Sequence, residues 1–154
     1  MITTELIPGP LPPLLEVPGT PDCGSELIFH GRVRGREKDE PIVALFYEHY
    51  EGMAESELRK LAEETSETFG LQSLTCLHRV GDVPVGEASV RVLIRSKHRV
   101  ESLQALAFFV RELKRRVPIW KWGVRTDGSR FPSPHCEGCE AAESPLHHHD
   151  HHDH

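Results

Sequence analysis

SKHRVESLQALAFFVRELKRRVPIWKWGVR, residues 96–125, is the stretch whose reading decides the fold. Leu103, Leu106, Ala107, Val110 and Leu113 recur at the three/four spacing of one buried helical face. The spacing predicts a single amphipathic helix that begins at His98-Arg99. Pro118 disfavours helical geometry at Val117, so the helix should end near Arg116. Lys114 follows Val110 by one turn and continues the apolar stripe, whereas Glu112, Arg115 and Arg116 suit the solvent face. Lys121 stands between Trp120 and Trp122 just past the proline. Each lysine has an ordinary reading, a stem laid along apolar surface with the ammonium in water. The other reading is an anion pocket, with two lysines at one helix end and Arg and His nearby.

Working outward, Ala88–Ser96 alternates, with Val90, Val92 and Ile94 on one side and Arg91, Leu93 and Arg95 on the other. Upstream, Leu71–Val80 predicts a strand ending in His78-Arg79. Gly81-Asp82 and Gly86-Glu87 mark turns around Val83-Pro84-Val85. A second amphipathic helix is expected over Met53–Phe69, burying Leu58, Leu61, Ala62, Thr65 and Phe69, with Gly70 as its C-terminal cap. Pro41–Tyr50 and Glu26–Val33 predict strands joined by a basic loop, Arg34-Gly35-Arg36-Glu37-Lys38, whose commonest meaning is a solvated hairpin. Ile119–Val124 predicts the last strand. Interleaved helices and strands with hairpin-like turns give an α+β class with a mixed or antiparallel sheet and two main helices.

Three segments follow. Residues 1–24 are a proline-rich arm with a short strand at Thr3–Ile7. Residues 25–132 are the folded domain. Residues 133–154 are small, polar and rich in Cys and His, a composition that predicts disorder. His135-Cys136-x-x-Cys139 is a single half-site by metal-ligand spacing. The terminal HHHDHHDH suits weak, adventitious binding of a divalent metal or a purification tag. The net charge of −6 argues against a nucleic-acid binder. No apolar run is long enough to span a bilayer, and Met1–Pro21 lacks the pattern of a signal peptide. Four scattered cysteines predict a reducing, cytoplasmic setting, and Cys76 is expected as a buried apolar residue.

Several short motifs stand in one order: Gly31-Arg32-Val33-Arg34, Tyr47-Glu48-His49-Tyr50 with Gly52-Met53, His78-Arg79-Val80-Gly81, Gly86-Glu87, Ser96-Lys97-His98-Arg99, and Leu113-Lys114 through Pro118-Ile119-Trp120-Lys121. In that order and spacing, from about Phe29 to Phe131, the chain resembles the large, catalytic subunit of molybdopterin synthase. The resemblance implies an α/β hammerhead-type domain with an added antiparallel region. It implies conversion of cyclic pyranopterin monophosphate to molybdopterin, with the dithiolene sulfurs delivered by the thiocarboxylated C-terminus of a small ubiquitin-like subunit. It implies a heterotetramer built on a homodimer of large subunits. By that likeness Lys114 and Lys121 are catalytic, and Arg32, Val33 and Arg34 form the basic substrate loop. His98 and Arg99 reach across the dimer, and Trp122 and Gly123 bind substrate through the backbone. Trp122-Gly123 replaces the family's usual basic-Glu pair. No metal or cofactor is implied, because the partner supplies the sulfur nucleophile. Two other readings are a non-catalytic homologue that binds the small subunit and a metal-handling protein that uses the tail.

Overall fold

The computed structural model describes residues 1–133. The Cys/His half-site and the histidine-rich terminus lie outside the described residues. Ten strands and two helices occur among those residues: β1 (Ile2–Ile7), β2 (Ser25–Arg32), β3 (Arg36–Glu37), β4 (Glu40–Pro41), β5 (Ala44–His49), α1 (Met53–Phe69), β6 (Ser73–Arg79), β7 (Gly81–Pro84), β8 (Ala88–Ser96), α2 (Arg99–Arg116), β9 (Ile119–Val124) and β10 (Arg130–Ser133). One four-stranded sheet has the order β1-β6-β8-β2, and a second has the order β10-β9-β5-β7. Only the β1–β6 pair is parallel among the described pairings. The α+β expectation is met, with a mixed first sheet and an antiparallel second one.

Both helices pack on the first sheet and on each other. Leu58, Leu61 and Ala62 of α1 and Ala105, Phe109 and Leu113 of α2 close over Leu74, Cys76, Val92 and Ile94. A smaller core under the second sheet joins Val33, Ile42, Leu45, Val83 and Phe131, and Tyr47 packs against both. The helix ends follow local chemistry. Gly70 takes the left-handed conformation that closes α1, as its sequence position suggested. Val117 is extended ahead of Pro118, so α2 stops at Arg116. The basic loop is a hairpin of β3 and β4 turned by Lys38-Asp39, both with positive φ, the geometry of a two-residue turn.

The buried face of α2 differs from the expected stripe. Leu103 is 55% exposed and Ala107 is exposed, while Ser102, Ala105, Phe109, Glu112 and Leu113 face inward. Ser102 helps to set this phase, because its partners lie on the sheet. The Ser102 hydroxyl shares a 2.6 Å hydrogen bond with Ser96 Oγ and accepts one at 3.1 Å from Ser25 Oγ, tying the first turn to β8 and β2. Glu112, expected on the solvent face, is buried among Arg111, Arg115 and Arg116 at 3.3, 3.1 and 3.8 Å. A buried polar group with partners is tolerated, so hydrophobicity alone misplaces the face. At the C-terminal end, Ser133 belongs to β10, is buried and pairs with Lys121 in register. β10 therefore includes a residue that the expected boundary at 132 grouped with the tail.

Candidate active site

A cavity of about 1010 Å³ opens between the two sheets, bounded by the C-terminal part of α2 and by the β3–β4 hairpin. Strand alternation aims Lys121 of β9 into it, and the last turns of α2 add Val110, Leu113 and Lys114. The end of β2 and the loop after it add Arg32 and Arg34, and the hairpin adds Arg36, Glu37, Lys38 and Asp39. Six cationic residues thus border the space against two acidic ones, a balance that favours an anionic occupant.

Lys121 is the most constrained of these. Its side chain keeps 17% of its exposure, and Nζ lies 3.7 Å from Glu37 Oε1. Burial pushes its pKa below the ordinary 10.5; Glu37 opposes the shift, and Lys114 and Arg34 add to it. Across the β5–β9 ladder Lys121 stands opposite Tyr47. The Tyr47 hydroxyl donates to Ser89 Oγ at 3.1 Å, and Ser89 Oγ donates to the Gly31 carbonyl at 3.3 Å. Burial raises the Tyr47 pKa, so the phenol stays neutral. The Tyr47 ring meets His78 edge-on at 5.1 Å. His78 is buried, and desolvation holds its pKa at about 4, so the ring is neutral at pH 7. Its Nδ1 lies 2.7 Å from the Arg79 carbonyl, an acceptor, so Nδ1 carries the proton.

The profile of the MoaE protein family matches residues 12–116, more than half of the chain. The chain belongs to the MoaE family. Its relatives include a molybdopterin synthase catalytic subunit of Homo sapiens, 36% identical over 73% of this chain and 60% of that protein. Another carries the same name in Pyrococcus abyssi, 36% identical over 68% of this chain and 71% of that protein. The chain spans about half to three fifths of the length of the mammalian relatives. Among solved structures, molybdopterin synthase from Staphylococcus aureus superposes with a TM-score of 0.70 at 26% identity, covering 81% of this chain and 93% of that one. A Helicobacter pylori complex of subunits 1 and 2 of molybdopterin-converting factor matches with a TM-score of 0.61 at 26% identity, covering 72% of each chain.

Within this MoaE fold the residues singled out by sequence divide into two groups. Lys114, Lys121, Arg32 and Arg34 meet in the cavity. Val33 does not: its side chain is 3% exposed in the second core. Its N–H donates to the Glu87 carbonyl, and its own carbonyl accepts from Gly86 N–H. Trp122 alternates away from Lys121 on the strand, and its Nε1–H donates to Glu48 at 3.0 Å. Gly123 lies under the Phe131 ring, where a Cβ would come within 2.4 Å of the ring carbon Cζ. Gly123 therefore makes room for the Phe131 ring of the second core, and a side chain at that position would force the ring to shift. His98 and Arg99 are exposed at the start of α2. Fifteen residues separate Arg99 from Lys114, about 22 Å along the helix, so this chain does not bring the pair to its own cavity.

Glu37, Tyr47, His78 and Ser89 line the cavity without having been singled out as site residues. Tyr47 and His78 lie in motifs that carried the resemblance, which was the available signal. Cys76 is fully buried with its thiol pKa pushed up to about 12, in keeping with an apolar role. Among the described residues no three His, Cys, Asp or Glu side chains stand together as a metal site, and no helix is long and apolar enough to cross a membrane.

Proposed function

We propose that this chain is the catalytic subunit of a molybdopterin synthase, a sulfurtransferase acting on cyclic pyranopterin monophosphate. The observation that carries the reading is the convergence of Lys114, Lys121 and Arg34 on one cationic cavity from a helix, a strand and a loop. The names of the relatives, molybdopterin synthase catalytic subunits, support reading that cavity as the site of such an enzyme. The sulfur source is the thiocarboxylated C-terminus of a small ubiquitin-like subunit, and the Helicobacter pylori complex of two converting-factor subunits supports such a partner. The working particle is a heterotetramer with a homodimer of this chain at its centre, in the cytoplasm.

In that reaction each residue has a physical task. Arg34, with His98 and Arg99 of a neighbouring copy, grips phosphate oxygens through charge-assisted hydrogen bonds. Lys121 presents a compact positive charge to the partner's C-terminal carbonyl in the acyl-linked intermediate, where negative charge grows as water adds and the carbonyl–sulfur bond breaks, leaving sulfur on the pterin and a carboxylate on the partner. Lys114 holds the pterin and is placed to move a proton. The apolar wall of Val90, Val92, Val110 and Leu113 limits water, which strengthens each of these contacts. The test is single-turnover conversion of the pterin precursor with excess thiocarboxylated small subunit. Formation of molybdopterin is expected. A folded chain that binds the partner without converting the precursor would favour the non-catalytic reading.

A further inference from the structure

We propose that Glu37 is a positioning residue for Lys121: its carboxylate, tied down by Ser133, holds the lysine's ammonium at the cavity wall. The inference rests on reading the cavity as the sulfur-transfer site. Glu37 lies in the charged run Arg34-Gly35-Arg36-Glu37-Lys38-Asp39-Glu40, yet it is 8% exposed while its neighbours Arg36 and Lys38 are exposed. The hairpin accounts for this. Pairing of Arg36 with Pro41 and of Glu37 with Glu40 fixes the pleat, and alternation turns Glu37 inward and Arg36 outward. A carboxyl side chain is rarely buried in such a place without a partner. Glu37 Oε1 has two: the Ser133 hydroxyl donates to it, and Lys121 Nζ stands 3.7 Å away.

The surroundings of Lys121 explain what the carboxylate does. Lys114 from α2 and Arg34 from the loop after β2 repel an ammonium there. Tyr47 from β5 and His78 from β6 are neutral, and Asp39 sits at the exposed turn of the hairpin. Glu37 is thus the carboxylate in contact with the lysine. Without it, the buried amine loses its proton more readily or swings away from the wall. Glu37 also joins three separate segments, since the hairpin, β9 and β10 meet at its oxygens.

The test uses the full chain and reads Lys121 before it reads catalysis. Acetylation of Lys121 is followed against pH by peptide mass spectrometry in the parent, Glu37→Gln, Glu37→Asp and Ser133→Ala. The half-modification pH should fall by about one unit or more in Glu37→Gln, the usual effect of losing a close opposite charge. It should fall less in Ser133→Ala and recover part-way in Glu37→Asp. The alkaline limb of kcat for sulfur transfer should move down with it. An unmoved labelling curve in folded Glu37→Gln overturns the proposal. If Glu37→Gln does not fold, unmoved curves in both Glu37→Asp and Ser133→Ala overturn it. A shifted labelling curve in a protein whose parent transfers no sulfur keeps the pairing and overturns the reading of the site, whereas an active parent with an unshifted curve does the reverse.

Discussion

Lys121→Ala should separate the chemical task of the site from its structural one. The substitution removes an ammonium whose side chain is 17% exposed and leaves Glu37 buried with only Ser133 at its oxygen. Breaking a fully buried ion pair costs about 3–5 kcal/mol. This pair retains some solvent access and a 3.7 Å separation, so a stability loss of about 1–3 kcal/mol is expected, the penalty of one unpaired buried polar group. For a chain of this size that is several degrees of melting temperature, not unfolding. The rate should suffer more. Losing one preorganised charge contact typically costs about 10²–10³ in rate, or 3–4 kcal/mol at the transition state. Single-turnover sulfur transfer and a melting curve measure the two effects. The double variant Lys121→Ala/Glu37→Gln should recover much of the stability, because no charge is left buried, and none of the rate. A folded Lys121→Ala protein that binds its partner and turns over within about threefold of the parent would refute the assignment, since that is far below the loss of an active-site charge. Lys121→Arg should rescue only in part: a guanidinium supplies charge but is planar and does not give up its proton.

Three further outcomes can be checked. Mixing Arg99→Ala with Lys121→Ala protein should restore some sulfur transfer through hybrid sites; no rescue after proven subunit exchange would count against a shared site. Stability should fall as pH drops from 6.5 toward 4, because the unfolded state binds a proton that His78, at about 4 in the fold, refuses; the window is worth on the order of 3 kcal/mol, and urea melts of His78→Gln should show a flatter profile there. Ending the chain after Ser133 should leave melting temperature and sulfur transfer near those of the parent, whereas ending it after Phe131 should lower both, because it removes a β10 residue whose hydroxyl holds Glu37.

Much of the secondary structure was legible because local signals and tertiary demands agree. Gly70 and Pro118 stop helices wherever those helices pack, and both boundaries fall where the residues place them. Val90, Val92 and Ile94 of β8 join the core under the helices as the alternation placed them, although Ser89 and Arg91 between them are buried too. The face of α2 was not legible for the opposite reason. Its orientation draws on Ser102 meeting Ser96 and Ser25, contacts that hydropathy counts as unfavourable, while the three arginines that pair with Glu112 lie on α2 itself and let that carboxylate be buried. Gly123 is a similar case. As a letter it is a departure from the family's pattern, and only the Phe131 ring above it explains why a small residue stands there.

The site divides along the same line. Helix period and the Pro118 break left two readings of Lys114 and Lys121, surface stems or an anion pocket; the family resemblance chose the pocket, and both residues line one cavity. Glu37 was hidden among exposed charges, since nothing in a run of alternating signs says which member a hairpin will turn inward. That decision is made by the hairpin register, Arg36 against Pro41 and Glu37 against Glu40, and Ser133, 96 residues further on, then holds the carboxylate. His98 and Arg99 show how far a helix acts as a ruler. With Lys114 at one end and the His-Arg pair about 22 Å off at the other, one α2 is too long to serve a single cavity from both ends. Under the proposed dimer that length has a use. Each α2 gives its C-terminal lysine to its own cavity and its N-terminal pair to the neighbour's, so a change that rotates α2 on the sheet, such as loss of the Ser96–Ser102 contact, should disturb two sites at once.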